Sequence, residues 1–214
     1  MTAADQRAVD KDRGYWERHA RKYDASLRVL GKPLPRMLEL TAEAVRGKDR
    51  VLEVAAGTGL VTAALARSAK QVIATDYATS MVEVLRARVK EAGLTNVTCE
   101  QADLYALRFE PASFDAVVAA NVLHLVPDLE GAIASLRRVL RPGGKLIVPT
   151  FCHDETPLSA IVSRVLITGF PGQRRFTTAS LRAQLESFGA RMDKNETLPG
   201  LIPIAYMNGT FADT

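Results

Sequence analysis

Cysteine is scarce: Cys99 and Cys152 are the only two in 214 residues. Two cysteines cannot build a disulfide framework, and without a C-x-x-C pair they make no zinc site. Histidine is scarce too, with only His19, His124 and His153. His153-Asp154-Glu155 is a lone cluster with no second ligand pair at metal spacing, so no metal is expected. No apolar run reaches the ~18 residues needed to span a bilayer. The start, Met1-Thr-Ala-Ala-Asp, is polar and has no signal-peptide core. These absences together point to a reducing cytoplasm. Aromatic residues make up 6% and include one tryptophan, Trp16. No basic stretch carries interleaved aromatics on which bases would stack. Excess charge is small. The net charge is +4, and residues 1–50, with 12 Lys/Arg against 8 Asp/Glu, account for all of it. Acids and bases are interleaved there, which reads as a solvated face, and a nucleic-acid partner is not expected. Internal repeats and low-complexity tracts are also missing.

What is present reads as one globular domain. The chain is 47% hydrophobic and 24% charged, and long enough to bury a core without staples. Its most informative run is Val51-Leu52-Glu53-Val54-Ala55-Ala56-Gly57-Thr58-Gly59-Leu60. A short apolar strand carries an acid near its end. Gly57 and Gly59 let the backbone turn tightly and let a ligand touch the main chain. A helix then opens, with free N–H groups. An acid beside such a loop would repel a pyrophosphate but suits a cation.

Four further strand segments follow. Gln71 to Asp76 reads as a buried strand ending in a carboxylate, 23 residues after Glu53. In a βαβ unit that spacing puts the acid at the tip of the neighbouring strand, where it can accept both hydroxyls of a ribose. Ser80-Met81-Val82-Glu83 looks like a capping box opening a helix. Val97 to Gln101 is a strand followed by Ala102-Asp103-Leu104. Phe114 to His124 and Leu140 to Val148 complete the set, the latter containing Arg141-Pro142-Gly143-Gly144.

These elements resemble, in order and spacing, the class I S-adenosylmethionine-dependent methyltransferases, most closely their small UbiE-like (methyltransferase type 11) branch. The glycine loop resembles that family's motif acidic-x-G-x-G-x-G, with Ala55 in place of the first glycine. A dinucleotide-binding domain would want Gly or Ala three residues after Gly59, where Thr62 stands. The resemblance implies a doubly wound, Rossmann-like α/β fold with a seven-stranded sheet. That sheet is mostly parallel with one antiparallel strand, in the order 3-2-1-4-5-7-6. It implies S-adenosylmethionine as cofactor and S-adenosylhomocysteine as product. Glu53, Ala55, Ala56, Gly57, Thr58 and Gly59 would meet the methionine portion. Asp76 would hold the ribose, with Tyr77 and Met81 flanking ribose and adenine. Ala102, Asp103 and Leu104 would meet the adenine, and Asn121 would close the fourth strand end. Trp16-x-x-x-Ala20-x-x-Tyr23-Asp24 resembles the family's opening helix, so Tyr15, Trp16 and Tyr23 would cover the cofactor as a lid.

Other expectations come from patterning. Residues 13–30 and 33–46 read as helices, the second presenting Leu34, Met37, Leu38, Thr41 and Val45 on one face. Asp128 reads as an N-cap, with Leu129, Ile133, Leu136 and Leu140 as its helix's buried stripe and Pro142-Gly143-Gly144 as its stop. Thr177 to Phe188 reads as a helix ended by Gly189. Strands near 190–197 and 202–208 form an antiparallel pair across a short connection. The expected organisation is helices and lid over 1–48, a cofactor-binding core over 49–150, and a substrate-side insert with a terminal hairpin over 151–214. The function implied is methyl transfer to a small molecule, with segments 157–170 and 198–207 hinting at an aromatic or lipophilic acceptor. An RNA or protein acceptor, or a regulatory domain that binds cofactor without turnover, remains an alternative. The fourth-strand segment lacks Asn-Pro-Pro-Tyr, the pattern of amino-methylating DNA and RNA enzymes. His124 is the candidate proton acceptor, since a neutral imidazole can take a proton from a phenol or hydroxyl. A packing role for it stands beside that reading, and His153 and Tyr23 are weaker candidates. A monomer or a homodimer is expected.

Overall fold

A computed structural model describes residues 13–18, 33–166 and 174–212. Strands and helices alternate from residue 50. The strands are β1 (Arg50–Val54), β2 (Gln71–Asp76), β3 (Val97–Gln101), β4 (Phe114–Val118), β5 (Leu140–Ile147), β6 (Thr150–Phe151), β7 (Ala190–Leu198) and β8 (Ile204–Phe211). The helices are α1 (residues 13–18), α2 (Leu34–Ala44), α3 (Leu60–Ala66), α4 (Thr79–Glu91), α5 (Leu129–Val139), α6 (Pro157–Leu166) and α7 (Thr178–Ser187). The sheet runs β3-β2-β1-β4-β5-β8, and both β6 and β7 pair with β8. The five strands from β3 to β5 are parallel, and β8 runs antiparallel to all its neighbours.

Burial explains why these residues choose strand. β1, β2 and β4 are buried on both faces along nearly their whole length, the condition for a parallel sheet sandwiched by helices. One face packs on α5 and α7 through Phe114, Leu123, Ile133, Leu136, Leu181 and Leu185. The other packs on α2, α3 and α4 through Met37, Leu40, Val61, Leu65, Leu85 and Tyr206. The Tyr206 hydroxyl donates to the Leu40 carbonyl at 2.8 Å and pins α2 to β8.

The sheet has eight strands where seven were expected. Pro149 has no N–H to give a ladder, so β5 breaks there and its continuation, β6, pairs only with β8. The strand order is otherwise the expected one, and the antiparallel β7–β8 pair lies where the sequence put it. α5 is shorter than expected: it ends at Val139, and Leu140 is already extended as the first residue of β5. Pro142-Gly143-Gly144 is thus a turn inside β5, with Gly143 at φ +68°, and not the helix stop. The Asp128 cap stands, its carboxylate accepting from Gly131 N at 2.9 Å. Thr177 caps α7 in a capping box with Ser180, and Gly189 follows at φ +83°. Among the described residues, no helix is long and apolar enough to cross a membrane.

Candidate active site

The carboxyl ends of β1, β2, β3 and β4 open onto one cleft, as ligands require in an open α/β sheet. Its lining includes Glu53, Ala55, Ala56, Gly57, Thr58, Asp76, Tyr77, Met81, Ala102, Asp103, Leu104 and Asn121. Every second residue of the loop after β1 is left-handed: Ala55 at φ +51°, Gly57 at +56° and Gly59 at +89°. Ala55 therefore takes a glycine's conformation while keeping its methyl group. Gly59 caps α3 at a φ that favours glycine, and a Cβ on it would meet Leu85 Cδ1 at 2.6 Å, so an added methyl would have to push that side chain aside.

Two acids brace this loop. The Asp76 carboxylate accepts from Gly57 N at 2.8 Å and from Ala78 N at 3.0 Å, which ties the glycine loop to the tip of β2. A carboxylate has about four lone-pair sites, so capacity remains for a ligand. Burial pushes the Asp76 carboxyl up to about 6, against the pull of those N–H groups. Glu53 is 1% exposed yet reaches the lining. Burial pushes it up to about 8, against the Thr62 hydroxyl, which donates to Oε2 at 2.5 Å, and Asp76 adds to the rise. Thr62, the residue that spoils a dinucleotide fingerprint, is thus the support of Glu53. Asp103 caps a 3₁₀ turn, Leu104–Ala106, by accepting from Tyr105 N at 2.9 Å. Asn121 is left-handed at φ +53°, and its buried Oδ1 has no hydrogen-bond partner.

That constellation has a chemical preference. Three carboxyl groups and an orphaned amide oxygen offer acceptors, and the acids can ionise against a cation, which fits a ligand with hydroxyls, an amino group and positive charge. S-adenosylmethionine has all three.

Residues 52–148 match the family described as "Methyltransferase domain". The ubiquinone/menaquinone biosynthesis C-methyltransferase UbiE of Teredinibacter turnerae is 35% identical over 165 residues, covering 74% of this chain and 66% of that protein. The demethylmenaquinone methyltransferase of Clavibacter sepedonicus is 38% identical over 132 residues, covering 62% and 53%. The chain thus spans just under two thirds of one of these relatives and about half of the other. Among solved structures, the DhpI–SAH complex aligns with a TM-score of 0.74 and 26% identity over 96% of this chain and 98% of that one. The chain belongs to the class I S-adenosylmethionine-dependent methyltransferases, in their UbiE-like branch.

Within this methyltransferase, several expected site residues fall elsewhere. His124 does not line the cleft. It is buried against Phe151 and His153, with ring centroids 6.4 Å and 5.3 Å away, and its Nδ1 has no partner. Burial pushes it down to about 3, and His153 adds to the shift. The physical reason is the loop after β4: left-handed Asn121 and the turn beyond it send Val122 and Leu125 into the cleft and His124 behind. His153 is likewise buried off the cleft and held down to about 4. Tyr15 packs edge-on against Trp16, and it is Trp16 that faces the cleft. Gly59 supports the loop from below. Tyr23 lies outside the described residues.

The lining also holds residues the sequence did not single out: Met37, Leu60, Val61, Tyr105, Ala120, Val122, Leu125, Val126 and Pro127. Leu125 to Pro127 sit in the loop after β4, so the rule that ligands gather at strand ends would have reached them. Met37 comes from α2, and no local pattern connects it with the site. Among the described residues no cluster of three or more His, Cys, Asp or Glu can hold a metal.

Proposed function

We propose that this methyltransferase moves the methyl group of S-adenosylmethionine to a small lipophilic acceptor, with an electron-rich aromatic ring as the favoured class. The observation that carries the reading is one cleft that combines Glu53, Asp76 and Asp103 with the apolar side chains Trp16, Met37, Leu60, Leu125, Val126 and Pro127. S-adenosylmethionine supplies the reactive methyl, carried on a sulfonium. The chain's own residues bind, orient and exclude water. Asp76 holds the ribose hydroxyls through its remaining lone pairs, and Asp103 accepts from the adenine amino group. Tyr77, Met81, Ala102 and Leu104 enclose the base. Glu53 and the loop from Ala55 through Thr58 take the methionine portion, and Asn121 Oδ1 accepts from its ammonium group.

On the acceptor side the task is alignment in a dry site. With His124 behind the wall, no histidine among the described residues lines the cleft. A ring carbon suits that arrangement, because the acceptor's own ionised hydroxyl supplies the electron density. The T. turnerae relative is itself named a C-methyltransferase. One chain builds the cleft, which fits a monomer or a homodimer of independent sites.

The test is a transfer assay with methyl-labelled S-adenosylmethionine and three acceptor classes: lipophilic phenols and quinols, bulk RNA, and bulk protein. Label is expected in the organic extract of the first. Label in RNA or protein, or none at all while cofactor binds, overturns the acceptor class.

A further inference from the structure

The start of α4 is completed from elsewhere in the chain. Its N-cap, Ala78, has no side-chain acceptor, and its first turn contains no acid. The first N–H groups of a helix have no partner within it, and that end carries partial positive charge. Here the partner is Glu17, 62 and 63 residues upstream: Thr79 N donates to Oε1 at 2.7 Å and Ser80 N to Oε2 at 2.9 Å. The Ser80–Glu83 capping box read from the sequence does not form. One carboxylate from α1 replaces it.

That contact lies against the cofactor's place. Trp16, the residue before Glu17, is 7% exposed and packs with Ala78 and Met81 at the same helix start. Trp16, Met81 and Tyr77 all line the cleft. Asp76 stands three residues before Thr79 and anchors Ala78 N. α1 is therefore fixed to the turn that carries the ribose-side acid, and one wall of the cleft is fixed with it.

We infer that Glu17 is a latch. Its carboxylate on the first turn of α4 holds the Trp16 wall against the cofactor, and its release opens the route by which S-adenosylmethionine arrives and S-adenosylhomocysteine leaves. The inference rests on the cleft being the S-adenosylmethionine site. Glu17 touches neither cofactor nor acceptor, so it is a positioning residue. Its side chain is 32% exposed and, among the described residues, its ion-pair partner Arg13 stands 3.9 Å away, so water can compete for it and the latch can open.

Trp16 is the chain's one tryptophan, so its emission reports this wall alone. In ligand-free protein, Glu17→Ala is expected to red-shift that emission. It should also raise the stopped-flow dissociation rate of S-adenosylhomocysteine roughly tenfold, the scale of a lost hydrogen bond to a charged group. Far-ultraviolet circular dichroism should stay the same. Glu17→Gln keeps one acceptor oxygen and should fall between. Thr79→Pro removes one donor without touching Glu17. Proline is favoured at the first helical position, and Ala78 already has the extended backbone it demands, φ −86° and ψ 122°. In the Glu17→Ala background Thr79→Pro should add nothing further. Unchanged emission in Glu17→Ala and in Thr79→Pro overturns the latch. Shifted emission with an unchanged dissociation rate overturns its control of exchange. If the wild type binds no S-adenosylhomocysteine, the cofactor reading fails, and the ligand-free emission still decides whether Glu17 holds the wall.

Discussion

Two pairs of buried titratable side chains sit at or just past the carboxyl ends of the strands, and they differ in almost everything else. Glu53 and Asp76 reach the cleft and are held by a hydroxyl and by backbone N–H groups. His124 and His153 lie behind the cleft wall, ring against ring, each with an orphaned Nδ1. Burial shifts both pairs toward their neutral forms. A perturbed titration therefore does not mark a site by itself. What separates the pairs is access to a ligand, and only the acids have it.

The largest expected effect follows from that access. Asp76→Ala removes the ribose acceptor and leaves Gly57 N and Ala78 N without their partner. Binding of S-adenosylmethionine should weaken by about 1.5–3 kcal/mol, roughly 10- to 150-fold. His124→Ala should change it less than about twofold, since the side chain is outside the cleft. Calorimetry on the two variants side by side checks the contrast. Equal losses would erase it.

The second effect is a pair of opposite pH slopes. Glu53 is raised from 4.5 to about 8 in the fold. Its stabilising contribution is complete below 4.5 and is lost as pH rises through about 8. The melting temperature of ligand-free protein should therefore fall over that window, and Glu53→Gln should flatten the fall. His124 is lowered from 6.5 to about 3. Its contribution is present above 6.5 and is lost as pH falls toward 3, so His124→Leu should flatten the acid side instead. A cationic ligand favours ionised Glu53 and Asp76, so S-adenosylmethionine affinity should rise from about pH 6 to pH 8 with release of protons. Titrations in two buffers of different ionisation heat measure that release.

The third effect concerns turnover. A placed base contributes about 10²–10⁴-fold in rate. His124→Leu is expected to keep kcat within about threefold, with no inflection near 6.5 assignable to this residue. A hundredfold loss in a folded variant would bring His124 back as the proton acceptor.

The smallest effects test the loop beneath the acids. Gly59→Ala forces a Cβ against Leu85 at φ +89° and should cost about 1–2 kcal/mol of stability. Ala55→Gly relieves a left-handed alanine but adds freedom to the unfolded chain, so the net change should stay within about 1 kcal/mol. Denaturant melts resolve both.

The legible parts of the sequence were those written locally. Glu53, Asp76 and Asp103 could be placed because each stands at a strand end marked by its own apolar run and the turn after it. The caps at Asp128 and Thr177 were legible for the same reason. What failed depended on distant partners or on backbone hand. Glu17 replaces the Ser80 box through a contact spanning more than sixty residues, which no local window contains. The break at Pro149 yields an extra strand only because β8 is there to pair with β6. Its count from β4 points His124 at the cleft. The left-handed turn at Asn121, unusual for a non-glycine residue, sent it behind the wall.

The most direct test of the contrast between acids and histidines is a crystal structure of the complex with S-adenosylhomocysteine. The expected result has the ribose hydroxyls within hydrogen-bond distance of Asp76, the amino group of the adenine at Asp103, and His124 still packed on His153 with no ligand atom in reach. A nucleoside bound away from Asp76, or a thioether sulfur facing the His124 imidazole, would contradict it.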